Sequence, residues 1–84
     1  AESLPLVAFG KKVDEQTINL TVVGLTEPGV EVEIRDEASN KLIYSDKIDI
    51  EEGFRRNYSL RGTSPDQIYV KVTDATGRVK NLYF

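Results

Sequence analysis

The side chains able to do chemistry are few and of restricted kind. The chain holds no histidine and no cysteine. That removes the commonest general base, the commonest metal ligand and every thiolate. Catalytic triads of the usual kind and structural zinc sites go with them. The acids form close sets, Asp14/Glu15, Asp46/Asp49 and Glu51/Glu52. Paired carboxylates catalyse only when a cleft holds them together with separated pKa values. Adjacent strand residues point to opposite faces, and acids in turns stand in water, so these sets read as solvated charge. No Asp-x-Asp-x-Asp-Gly calcium spacing occurs, the pattern that loop calcium sites use. The expectation is a non-enzyme with no catalytic, metal or cofactor-binding residue.

Arg55, Arg56 and Arg61, with Tyr58 between, form the basic cluster. Basic residues interleaved with an aromatic suit single-stranded nucleic acid. Here Glu51 and Glu52 adjoin them and the net charge is −3, whereas nucleic-acid recognition asks for a clustered basic face. The cluster reads as a solvated strand end, and no nucleic-acid partner is expected. Two glycosylation-type triplets, Asn19-Leu20-Thr21 and Asn57-Tyr58-Ser59, matter only in a secreted eukaryotic protein. Surface recognition remains. Tyr69, Tyr83 and Val23 face outward in the strand pattern below and form the candidate contact surface.

The elements that position these residues are strands. Val30, Val32 and Ile34 alternate with Glu31, Glu33 and Arg35, so a period of two puts apolar groups on one face and charges on the other. Ile68, Val70 and Val72 repeat this against Tyr69, Lys71 and Thr73, as do Ile18, Leu20 and Val22 against Asn19, Thr21 and Val23. Such alternation marks half-buried antiparallel strands. Glu27-Pro28-Gly29 predicts a turn. Asp74-Ala75-Thr76-Gly77-Arg78 predicts a tight hairpin, with Gly77 taking the left-handed conformation. Asp36-Glu37-Ala38-Ser39-Asn40-Lys41 is its longer counterpart, with Asn40 in the corresponding place. The two read as hairpins built from the same ingredients rather than as a duplication. Turns are also expected at Glu51-Glu52-Gly53 and over 61–66.

Strands are predicted near residues 6–9, 17–23, 30–35, 41–45, 47–50, 54–60, 67–73 and 79–84. Pro5 confines the first to an edge or a strand start. Between Lys41 and Ile50 the pattern leaves open whether Leu42 and Tyr44, or Ile43, face the core. Arg56 shares a face with Phe54, Tyr58 and Leu60, which places it at a sheet margin where its head reaches water. Short strands with turns about every ten residues signal a sandwich or barrel. The fold expected is all-β: a single domain over 1–84, an immunoglobulin-like antiparallel β-sandwich of seven to eight short strands.

The chain has 84 residues, of which 39% are hydrophobic and 30% charged. No apolar run approaches the roughly 20 residues that cross a bilayer as a helix, so no transmembrane segment is expected. The chain has no Met and begins Ala1-Glu2-Ser3, as a chain does after a signal peptide is removed. The expectation is a secreted or periplasmic location.

The block Glu31-Val32-Glu33-Ile34-Arg35-Asp36, then Asn40-Lys41-Leu42-Ile43-Tyr44, resembles small secreted Ig-like domains of unknown function from Bacteroides-type bacteria. So does Ile68-Tyr69-Val70-Lys71-Val72-Thr73-Asp74 with Gly77 and a final aromatic strand. The layout is similar to the C-terminal sorting domains of type IX secretion cargo. The resemblance covers about residues 18–84. It implies an extracytoplasmic β-sandwich without catalytic residues and carries no functional residue over.

The expected function is therefore a non-catalytic module acting through a protein partner, in a structural, sorting or adhesive role. One alternative is a stand-alone binder such as an inhibitor of a secreted protease, presenting 27–29 or 61–66. The other is a carbohydrate-binding module, although the chain has no Trp for an aromatic platform. The terminal strands, near 6–9 and 79–84, are the expected free edges.

Overall fold

A computed structural model of the chain describes residues 7–23, 29–49 and 53–84. It is an all-β antiparallel sandwich of two sheets. The strands are β1 (Val7–Asp14), β2 (Thr17–Val23), β3 (Val30–Asp36), β4 (Leu42–Ile48), β5 (Gly53–Ser59), β6 (Ile68–Asp74) and β7 (Val79–Tyr83), with a 3-10 turn at Pro65–Gln67 before β6. One sheet has the order β1-β2-β5 and the other β4-β3-β6-β7. The constant-domain immunoglobulin arrangement puts four strands and three the other way, with its fourth strand beside the fifth. Here β4 pairs with β3 along its length, from Val30 opposite Ile48 to Arg35 opposite Leu42.

The period of two survives intact in the central strands. Ile18, Leu20 and Val22 of β2 face Val30, Val32 and Ile34 of β3 and Ile68, Val70 and Val72 of β6 across the core, all fully buried. Each such side chain contributes about 1.5–3 kcal/mol of burial free energy. Ala8, Ile48, Tyr58, Leu60 and Leu82 complete the cluster, with Phe54 and Phe84 packed at its rim.

The edge strands depart from expectation. β1 runs on to Asp14, past the predicted end at Phe9. Gly10, Lys11 and Lys12 show no apolar alternation, yet they pair with Leu20, Asn19 and Ile18. Val13 is a bulge residue there, and such insertions are common at sheet edges. The predicted strands 41–45 and 47–50 are one strand, because Ser45 and Asp46 stay in register with Glu33 and Val32. Ile50, Pro5, Pro28 and the Glu51-Glu52 turn lie outside the described residues.

The two open sides of the sandwich close differently. Between β1 and β7, the ring of Phe84 occupies the space a side chain at Gly10 would need. Between β4 and β5, the closure is polar. Asp46 accepts hydrogen bonds from Arg56 Nη1 at 3.1 Å and Tyr58 Oη at 3.0 Å. Arg56 is thus at a sheet margin and exposed, as its spacing indicated.

Candidate contact surface

The strand edges and the outer face of the four-stranded sheet supply the surface with the most recognition chemistry. Leu42, Ile43 and Tyr44 are all exposed, at 43%, 40% and 49%. The open question over this segment thus resolves outside the core: none of the three is buried. The cause is a register shift at Ile34/Arg35, which sets Tyr44 opposite Ile34 and Leu42 opposite Arg35. β4 is a sheet edge, so the inward position of Tyr44 lies at the rim, while Ile48 at the other end of the strand is buried. Tyr44 packs there on Tyr58, with ring centroids 5.8 Å apart and planes tilted by 56°. Burial, followed by the hydrogen bond and charge of Asp46, pushes the Tyr58 phenol well above its usual range. Tyr58 therefore remains a hydrogen-bond donor at ordinary pH.

From Leu42 the surface continues across the sheet. The ladder sets Leu42, Arg35, Tyr69 and Tyr83 in one transverse row. The rings of Tyr69 and Tyr83 stack at 5.7 Å with planes 27° apart. Such a pair is worth about 0.5–1.5 kcal/mol beyond its buried area. The Tyr69 hydroxyl donates to Asn40 Oδ1. Arg35 donates to the Asn40 carbonyl at 2.9 Å and to Glu33 Oε2 at 2.9 Å. Its guanidinium is therefore ordered before any partner arrives.

Asn40 can hold this position because of its backbone. Its φ is +60°, a conformation that Asn tolerates better than most residues. Asp36 braces the same turn, accepting from Ala38 N at 3.2 Å and Ser39 Oγ at 2.9 Å.

Beside this row lies an open cleft of about 900 Å3 between the β3–β4 turn and the β5–β6 loop, walled by Leu42 and Ile43 on one side and Arg61, Gly62 and Thr63 on the other. Around the edge a smaller groove of about 560 Å3 runs past Tyr44, Arg56 and Tyr58. Ile43 and Arg61 line both. The loop carrying Arg61 is anchored by buried Pro65, and its Ser64 Oγ donates to Asp66 at 2.5 Å. That hydrogen bond is the first cause holding the Asp66 carboxyl below its usual range.

The structure brings Tyr69 and Tyr83 together. It does not bring Val23 to them: Val23 lies at the end of β2 in the other sheet, between Val7 and Gly53. Its outward orientation was read correctly, but membership of one patch needed the sheet order. The acidic sets are likewise separated by their uses. Asp14 caps its own turn, accepting from Gln16 N at 2.8 Å, and Asp46 holds Arg56 and Tyr58. Glu51 and Glu52 lie outside the described residues. The basic cluster is also dispersed. Arg55 points out from the three-stranded sheet, opposite Thr21, Arg56 turns to Asp46 and Arg61 sits in the loop.

Leu42, Ile43, Tyr44, Arg35 and Asn40 were not foreseen as site residues. Their signal was present in one form: an apolar run that fits neither face of a strand. No protein-family model, curated protein or solved structure matches the chain. Among the described residues, no helix is long and apolar enough to cross a membrane.

Proposed function

We propose that the chain is a non-catalytic extracytoplasmic module that acts through protein contacts, in a structural, sorting or adhesive role. The observation that carries this is the run Leu42-Ile43-Tyr44, exposed on a strand edge and continuous with the Arg35–Tyr69–Tyr83 row. An unpaired edge with large apolar side chains is a liability that proteins ordinarily blunt with charge. Contiguous exposed apolar surface of this kind marks interaction sites. The residue types are those that dominate binding energy, Tyr and Arg with aliphatic neighbours. The free edge of β4 also offers main-chain groups to an incoming strand. The extracytoplasmic setting rests on the resemblance of the strand layout to secreted Ig-like domains.

The inhibitor reading has one observation in its favour. The 61–66 loop is anchored by buried Pro65 and stands beside the same surface, with Arg61 exposed at its start.

A photoreactive phenylalanine analogue placed at position 43 or 83, with position 76 at the far end as control, tests the proposal in envelope and medium fractions of the source cells. One adduct of defined mass from 43 and 83, absent from 76, is the expected result. Identical labelling from all three positions, or none from any, would sink it. An adduct to a secreted protease at 43, with loss of that enzyme's activity, would favour the inhibitor.

A further inference from the structure

The outer face of the three-stranded sheet has a different chemistry. The register sets Phe9, Thr21 and Arg55 in one row and Lys11, Asn19 and Asn57 in the next. The strands β1, β2 and β5 carry Lys11, Lys12, Arg55 and Arg56 against one acid, Asp14, in a chain whose net charge is −3. Asp14 is spent on its own turn. Arg56 is held by Asp46, and Lys12 lies in the field of Asp66. Lys11 and Arg55 stay exposed, with no ion pair among the described residues.

The neutral groups between them are oriented. Thr21 Oγ1 donates to Asn19 Oδ1 at 3.2 Å, and Asn19 Nδ2 donates to Asn57 Oδ1 at 2.8 Å. Each amide oxygen thus accepts one hydrogen bond. The Lys11 ammonium, the Arg55 guanidinium and the Asn57 amide are all donors. Phe9 stands beside them, 53% exposed, at a depression of about 430 Å3 that Lys11, Asn19, Thr21 and Arg55 also line.

We propose that this face binds an anionic polysaccharide, a glycan bearing carboxylate or sulfate groups. Lys11 and Arg55 take the charged groups, Asn57 donates to hydroxyl or ring oxygens, and Phe9 supports the apolar face of one sugar. Charge complementarity selects an anion, and the excess of donors on this surface selects among anions. A peptide laid on this face would bring main-chain N–H groups, which are costly to bury unpaired. The Asn19 and Asn57 amide oxygens each already accept one hydrogen bond, and β2 is paired on both sides. A sugar chain brings acceptor oxygens and hydroxyls that rotate to suit, so the mismatch does not arise. The lack of a Trp platform matters less here because charge and hydrogen bonds supply the recognition.

Titration calorimetry with oligogalacturonate, a heparin oligosaccharide, neutral dextran of matched length and a polyglutamate peptide tests this. Saturable binding of at least one anionic oligosaccharide is expected, with none of dextran. Which of the two binds decides between carboxylate and sulfate. Lys11→Gln with Arg55→Gln should weaken it by about tenfold or more, equivalent to about 1.4 kcal/mol. The charge-keeping pair Lys11→Arg and Arg55→Lys should retain most of it, which separates lost charge from lost fold. Binding should also weaken as salt shortens the screening length from about 30 Å at 0.01 M to about 8 Å at 0.15 M. The proposal is overturned by no binding of either anionic oligosaccharide, by binding indifferent to the double Gln variant, or by equal binding of polyglutamate. The last would make the face a site for acidic protein.

Discussion

The β3–β4 and β6–β7 hairpins are built from the same parts and do different work. Each begins with an Asp that ends an alternating strand, and each places a left-handed residue near the turn's end, Asn40 at φ +60° and Gly77 at φ +89°. In each, that residue's N–H returns to the Asp carbonyl, from Asn40 at 2.7 Å and from Gly77 at 3.1 Å. They differ in where the carboxylate stands. Asp74 continues the buried face of β6 and is only 6% exposed. It accepts from Thr76 N at 3.0 Å, Thr76 Oγ1 at 2.8 Å, Arg78 N at 2.9 Å and Arg78 Nε at 2.6 Å. Asp36 opens onto the cleft beside Arg61 and braces only its own turn. The first hairpin points its turn outward, where Asn40 organises Arg35 and Tyr69. The second turns its carboxylate inward and closes the end of the core. Identical local grammar thus yields a recognition element at one end and an anchor at the other, according to what each turn packs against.

Removing the two carboxylates tests this difference most severely. Asp74→Ala leaves main-chain and guanidinium donors without their buried acceptor and should cost about 2–4 kcal/mol. Asp36→Ala, at a half-buried site, should cost about 0.5–1 kcal/mol. Urea denaturation midpoints measure both, and equal costs would erase the distinction.

Acid separates the hairpins next. Burial raises the Asp74 pKa, but the hydrogen bonds from Thr76 and Arg78 and the Arg78 charge outweigh it, so the net shift is downward. The unfolded chain holds this proton near pH 3.9. A depressed folded pKa stabilises the fold fully above that value and loses the contribution as pH falls through the folded one. Stability should therefore drop below about pH 4. Asp74→Asn should flatten that drop, and a pH series of unfolding curves shows whether it does. An unchanged slope would mean that other carboxylates, such as Asp14 and Asp66, carry the effect.

The turn backbones give the smallest effects. Gly77→Ala and Asn40→Ala should each cost about 1 kcal/mol, the penalty for a Cβ in the left-handed region. Asn40→Gly should leave stability within about 0.5 kcal/mol. It should nonetheless shift the NMR signals of Tyr69 and Tyr83, because the Tyr69 hydroxyl loses its acceptor. No shift would mean that the hairpin does not organise the row.

The central strands were legible because burial on one face and water on the other impose a period of two. β2, β3 and β6 obey it from end to end. The turn chemistry was equally plain at Asn40 and Gly77, where left-handed geometry selects the residue. The edges were not legible. In β1 beyond Phe9, and at the start of β4 over Leu42, Ile43 and Tyr44, both faces meet solvent or a rim, so residue type no longer reports direction. The same loss hid Leu42, Ile43 and Tyr44 as surface residues. Tyr69 and Tyr83 were readable as outward, and their stacking was not.

By itself the sequence determined the strand class, the outward set on the central strands and the absence of histidine and cysteine chemistry. These depend on composition and on neighbours along the chain. The tertiary structure decided which outward residues meet. It stacked Tyr69 on Tyr83, sent Val23 to the other sheet, buried Asp74 and left Asp36 half-buried. It also aligned Asn19 with Asn57 across strands that lie far apart in sequence. Those outcomes turn on strand order and register, which are set by packing across the whole core rather than by local pattern.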